Sequence, residues 1–207
     1  TPPRAVASDS PAATPDVGPG NPAASSDAAP VRVAARYAFP VRGRTSYSRV
    51  HHDYPAADVF ARCGTEVVAP TGGVVLEVMR RDRFDPDVDN PALRGGRSWS
   101  LAGDDGVRYY GSHLAAVSDR VVRGRRLRAG AHIGQVGQSG NARGSGCHLH
   151  FGLSPVCRGR GDWWVRRGTV SPYPFLRAWE RGRDRSPEDA VRRWRGRHGC
   201  PDRPRGA

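Results

Sequence analysis

The sequence contains no lysine: all 33 basic residues among its 207 are arginine, against 20 acids, for a net charge of +13. Arginine presents a planar fork that grips carboxylate and phosphate bidentately, so an anionic partner such as a cell-wall polymer fits. A genome biased toward Arg, Ala, Gly and Pro codons accounts for the count equally well. Nucleic acid is not expected as a partner, because no helix-turn-helix, finger or stacking-platform pattern accompanies the charge. No apolar run reaches eighteen residues, which excludes a helical membrane span. No basic stretch followed by an apolar core stands at the start, so a chain beginning at Thr1 is expected to be a trimmed or mature form. No internal repeat is visible, and the length suits one domain with tails.

Short paired cysteine spacings are missing too, which argues against a structural zinc knuckle. Cys63, Cys147, Cys157 and Cys200 form an even set that suits disulfides in an oxidising compartment. Three connectivities are open. The short segment between Cys147 and Cys157 makes that pair the preferred one.

Charge and composition divide the chain into three. Residues 1–36 are dominated by Ala, Pro, Ser, Asp and Gly and cannot bury enough surface to offset their ordering entropy, which predicts a disordered tail or linker. Residues 37–157 form the expected active domain, with a net charge of +5 over 41–157. Residues 158–207 carry +8 and read as an Arg-rich extension, partly helical and packed on the domain, ending in a frayed tail after residue 202. Within the middle block, short Val-, Leu- and Tyr-rich segments alternate with Gly, Pro and Asp clusters, the pattern of many short strands. Strands are expected at Glu66–Ala69, Gly73–Met79, Ser98–Ala102, Val107–Ser112, Ile133–Val136 and Cys147–Leu153. The first two flank Pro70, Thr71 and Gly72 and read as a tight pair. Asp104, Asp105 and Gly106 signal a hairpin. The polar stretch from Arg80 to Arg97 reads as a long functional loop. After Pro174, loosely helical apolar spacing with Ser186, Pro187 and Glu188 at a cap predicts short amphipathic helices. The expected fold is therefore mainly β: a small antiparallel sheet or sandwich with a groove, plus a short C-terminal helical segment.

Three histidine segments carry chemistry. On a strand, His148 and His150 project to one face while Cys147, Leu149 and Phe151 face the other. His51, His52, Asp53 and Asp58 bring imidazole and carboxylate together, a combination suited to zinc, and His52, Asp58 and His150 make a three-ligand set with an open position. His113 closes a third segment, Tyr109–Tyr110–Gly111–Ser112–His113–Leu114. The loop from Gly137 to Gly146 lets a substrate backbone approach, with Asn141 and Arg143 positioned to hold carbonyls or a carboxylate. His132 and His198 read as surface residues, and Trp163 and Trp164 as either a substrate platform or helix packing.

In order, these segments resemble the lysostaphin-type, LytM-like zinc endopeptidases of bacterial peptidoglycan, whose domain has a duplicated-hybrid-motif fold. Cys63 to Val75 is similar to that family's Gly-Thr-x-Val-x-Ala strand and Gly-Val-Val continuation, and Gly130 to Gly137 to its Gly-x-x-Ile-Gly-x-Val-Gly segment. The resemblance covers about residues 37 to 155. It implies zinc held through His52, Asp58 and His150, with His113 and His148 as the catalytic pair; the chain is then expected to be a secreted or wall-associated monomer with one zinc ion, and Tyr110, Asn141 and Arg143 are expected at the substrate. It further implies hydrolysis of stem or cross-bridge peptides, with a non-catalytic wall-binding module that activates another hydrolase as the alternative. Five residues separate His52 from Asp58 where the family has three, which keeps His51 as an alternative ligand. Two residues separate Tyr110 from His113 where the family has one.

Overall fold

The computed structural model describes residues 37–157 and 162–201. The tail expected at residues 1–36 and the fraying expected after residue 202 lie outside the described residues. Among the described residues, nine strands form two antiparallel sheets. They are β1 (Ala57–Phe60), β2 (Glu66–Val68), β3 (Gly73–Met79), β4 (Ser98–Gly103), β5 (Val107–Ser112), β6 (Leu114–Val117), β7 (Arg126–Leu127), β8 (His132–Val136) and β9 (His148–Pro155). Six lie in one sheet, in the order β1-β9-β5-β4-β3-β7, and three in the other, β2-β8-β6. Three helices follow, α1 (Trp163–Arg166), α2 (Tyr173–Trp179) and α3 (Glu188–His198).

Alternation along β9 organises the large sheet. Leu149, Phe151 and Leu153 are fully buried on one face, packed with Val59, Trp99 and Leu101. Helix α2 closes over that face with Phe175, Leu176 and Trp179, the last stacked on Tyr37 at 5.3 Å and near Tyr109 and Phe151. Gly111 faces the same core, where a Cβ would stand 2.4 Å from the Trp99 indole nitrogen, so only glycine admits the ring. The hairpin at Asp104–Gly106 forms as expected, with Gly106 at φ 74°. Ser186 accepts a hydrogen bond from the Glu188 N–H at the start of α3.

Two sequence expectations are corrected. Strands β2 and β3 do not pair with each other: β2 pairs with β8, and β3 with β4 and β7. The Pro70–Gly72 turn carries the chain from one sheet to the other, and the Ala69 N–H and C=O are taken by Ala131 and Gly130 rather than by β3. The disulfides are Cys63–Cys147 and Cys157–Cys200, not Cys147–Cys157. Because β9 runs straight from His148 to Pro155, it holds Cys147 and Cys157 at its opposite ends, and strand rise keeps them far beyond disulfide reach.

The helical segment is anchored to the sheet by a buried ion pair as well as by Cys157–Cys200. Arg108 on β5 is 3% exposed and donates to Asp162 at 2.6 Å and to the Cys157 carbonyl at 2.5 Å. Charges this buried strongly destabilise when one partner is removed, at about 3–5 kcal/mol.

Non-reducing peptide mapping should recover Cys63 linked to Cys147 and Cys157 linked to Cys200. Replacing Cys157 and Cys200 together with Ser should lower unfolding free energy by about 2–4 kcal/mol, read by denaturant titration. A Cys147–Cys157 peptide in the map would contradict the pairing.

Candidate metal centre and groove

The face of β9 opposite the core carries the site. Asp58 on β1 and Ser112 on β5 are the cross-strand partners of His150, so three polar side chains lie side by side on one face of the sheet. His150 Nδ1 stands 2.9 Å from Asp58 Oδ1, His51 Nε2 3.7 Å from Asp58 Oδ2, and His148 Nε2 4.0 Å from Asp58 Oδ1. His51, Asp58 and His150 each offer one ligand atom within 4.8 Å of the others. The ring of His51 meets that of His150 edge-on at 5.2 Å.

His52 is not in this group. It is exposed and stacks on the outer face of His51 at 4.6 Å, so only one imidazole of the adjacent pair occupies the space beside Asp58. The structure thus groups His51, the alternative that the motif spacing left open, with Asp58 and His150 in the place where His52 was expected. His51 Nδ1 is buried with no partner among the described residues.

Backbone carbonyls fix the imidazole tautomers. A carbonyl only accepts, so His113 Nδ1–H donates to Ser139 at 2.8 Å and His148 Nδ1–H donates to Gly146 at 2.8 Å. In both rings this directs Nε2 into the groove. The His150 ring is turned the other way: its Nε2–H donates to the Arg167 carbonyl at 3.0 Å, and its Nδ1 faces Asp58 at 2.9 Å, where it donates to the carboxylate when that nitrogen also carries a proton. That carbonyl can approach because residue 152 is glycine; a Cβ there would stand 2.2 Å from it. Tyr54 Oη lies 3.4 Å from the same Nε2.

His113 has φ 65°, a left-handed conformation that costs a non-glycine residue about 1–3 kcal/mol. Its N–H donates to Gly95 at 2.9 Å and its ring to Ser139, contacts that offset the strain. The Ser139 loop is in turn tied to the stretch 80–97. Asp82 accepts from the Gly140 N–H at 3.0 Å and from Arg143 at 2.8 Å, and Gly96 packs directly against Gly140. The loop between Arg80 and Arg97 thus forms part of the site, with Arg94 and Gly95 on the groove wall.

The groove has a cavity volume of about 400 Å³, ample for a short peptide segment. Tyr110 and Asn141 line it, as do Trp163, Arg166 and Arg167 from the α1 region. Arg143, expected at the substrate, does not: its guanidinium is taken up by Asp82 and the Phe84 carbonyl and ties the loop. Trp164 packs on Trp194, while His132 pairs with Glu66 at the surface. Sequence reasoning missed Tyr54, Asp82, Arg166 and Arg167, whose roles depend on chain segments remote in sequence.

Electrostatics follow from this crowding. Burial raises the Asp58 carboxyl, but the His150 hydrogen bond and the facing imidazoles outweigh it and bring its pKa down to about 2. Burial, then the charge of His150, pushes His113 down to about 4. Burial likewise lowers His51.

The sequence pattern described as Peptidase family M23 matches residues 52–160. The chain belongs to peptidase family M23. The L-Ala–D-Glu endopeptidase of Bacillus subtilis (strain 168) is 30% identical over 164 residues, a match spanning 70% of this chain and 44% of that protein. Among solved structures, a candidate glycyl-glycine endopeptidase LytM from Ruminococcus gnavus ATCC 29149 aligns with a TM-score of 0.56 at 23% identity, over 72% of this chain and 62% of that one. The antimicrobial peptidase lysostaphin from Staphylococcus simulans aligns with 0.53 at 22% identity, over 73% and 58%. At those identities the structures establish the shared fold, a mainly antiparallel β architecture with few helices.

The pKa directions predict how the metal-free chain responds to acid. A group whose folded pKa is lowered binds its proton more readily when unfolded, so its stabilisation is present above the unfolded value and lost as pH falls. His113 should withdraw stability between pH 6.5 and about 4, and Asp58 between 3.8 and about 2. His113→Asn, which tolerates the left-handed backbone, should flatten the upper segment of a plot of melting temperature against pH after chelation. An unchanged slope between pH 6.5 and 4 would contradict the buried neutral imidazole.

Proposed function

We propose that the chain is a zinc-dependent endopeptidase that hydrolyses peptide bonds in the stem or cross-bridge peptides of bacterial peptidoglycan, outside the cell. The observation that carries this reading is the grouping of His51, Asp58 and His150 on the groove floor, with the Nε2 atoms of His113 and His148 free beside it. Two imidazoles and one carboxylate suit zinc, and three protein ligands leave a position open, as catalytic sites require. The donor set fits further in that His150 is oriented by a backbone carbonyl and His51 has a ring nitrogen without a partner among the described residues. One zinc ion per chain is the expected load.

Zinc in that set supplies Lewis acidity, polarising the scissile carbonyl and lowering the ionisation of a water toward about pH 7. His113 and His148, with Nδ1–H held by carbonyls, accept the proton of the attacking water at Nε2 and deliver a proton to the leaving amine. They also face the oxyanion that develops at the carbonyl. Tyr110 and Asn141 offer a hydroxyl and an amide to the substrate backbone. The complete ligand grouping supports hydrolysis over a non-catalytic wall-binding role.

The glycan-linked peptides enter as substrate through the family and through the relative named for an L-Ala–D-Glu bond. Two disulfides support an oxidising compartment, and among the described residues no helix is long and apolar enough to cross a membrane.

Metal content and muropeptide digestion, read by mass spectrometry, test this on purified variants. Ala at His51, Asp58 or His150 should abolish bound zinc and hydrolysis together, whereas His52→Ala should keep its zinc. His148→Ala and His113→Asn should retain zinc and lose turnover by about 10² to 10⁴. Retained stoichiometric zinc in His51→Ala, with loss in His52→Ala, would reverse the ligand choice.

A further inference from the structure

Three guanidinium groups line the groove, and two are already committed. Arg94 pairs with Asp89 at 3.0 Å, while Arg166 pairs with Glu77 at 3.2 Å and donates to the Ala92 carbonyl at 3.0 Å. Arg167 has no acidic partner among the described residues, and its buried Nε has no acceptor. Yet the side chain is firmly held. Its guanidinium carbon lies 4.0 Å from the centroid of the Tyr54 ring and 5.1 Å from that of Trp163.

Stacking of this kind engages the faces of the guanidinium and leaves its edge of N–H donors open. It also removes most of the rotamer freedom that a free arginine would lose on binding a ligand. Tyr54 in turn places its hydroxyl 3.4 Å from His150 Nε2, so the clamped guanidinium sits one aromatic ring away from the metal-ligand histidine. A half-buried, pre-oriented, unpaired arginine in a peptide-sized groove is built for a planar anion.

We propose that Arg167 is a specificity-determining residue that binds a free carboxylate on the substrate peptide close to the scissile bond. The groove thereby selects acidic peptides over their amidated counterparts. This rests on the reading of the groove as a peptidase site, and it names the substrate class within it. Arg167 acts on binding: the carboxylate contact is made equally in the ground and transition states, so its loss raises KM more than it lowers kcat.

The experiment uses the zinc-loaded full chain and pairs of muropeptides identical except that the carboxylate nearest the scissile bond is free or carboxamide. The wild-type chain should favour the free acid by about tenfold to a hundredfold in kcat/KM, the scale of a charge-assisted contact, with the difference in KM. In Arg167→Gln that ratio should fall to near one, and Arg167→Lys should recover part of it. Metal content of each variant separates this effect from damage to the site through Tyr54. A wild-type ratio near one overturns the proposal while leaving the peptidase reading intact, and needs no variant that folds. A zinc-retaining Arg167→Gln that keeps the wild-type ratio also overturns it. Failure of the zinc-loaded wild-type chain to cut either member of the pairs would instead count against the peptidase reading.

Discussion

The rest of the site depends on one carboxylate crowded by imidazoles. Asp58 sits on an edge strand of the large sheet, directly across from His150, with His51 and His148 within 4.0 Å of its oxygens. Such an arrangement survives partial burial because the imidazoles offset the desolvation of the charge, which is why its carboxyl lies near 2 rather than above its ordinary range. Every nearby backbone feature can be understood as holding rings around that carboxylate: the Arg167 carbonyl for His150, the Gly146 carbonyl for His148 and the Ser139 carbonyl for His113.

Holding rings by backbone carbonyls demands close main-chain approaches, and these bring local strain and glycine. His113 is left-handed, and Gly96, Gly140 and Gly152 each stand where a Cβ would meet backbone within 2.3 Å. The groove is thus assembled from segments that cannot shift independently. Asp82, Arg143 and the Gly96–Gly140 contact tie the loop between Arg80 and Arg97 to the one before β9, and the Arg108–Asp162 pair ties α1 to β5. Stability is exchanged for position: buried charge and a strained histidine are tolerated because the packed core on the other face of β9 holds the strand in place.

Much of this was legible in the residues. The alternation in Cys147–His148–Leu149–His150–Phe151 announced a strand with imidazoles on one face and core on the other, and β9 has that form. The strands at Gly73–Met79 and Val107–Ser112 and the Asp-Gly hairpin were equally plain, since period, turn chemistry and strand propensity agree there. Other features were not legible. Strand β1, Ala57–Phe60, is too short to show a period, and β2 and β3 look like a hairpin because the two-sheet crossover at Pro70–Gly72 leaves no mark distinct from a tight turn.

The sequence by itself determined the class of fold, the residue types of the histidine and aspartate cluster and the two strand histidines, because strand alternation and turn residues act over a few neighbours. Only the tertiary structure decided that His51 rather than His52 faces Asp58, that Cys63 joins Cys147, that Arg143 serves a loop and that Arg167 enters the groove. Those outcomes turn on which remote segments meet. The pairing of β1 with β9 and the seating of α1 over Gly152 bring together groups 92 and 17 residues apart, and local pattern carries no record of such distances.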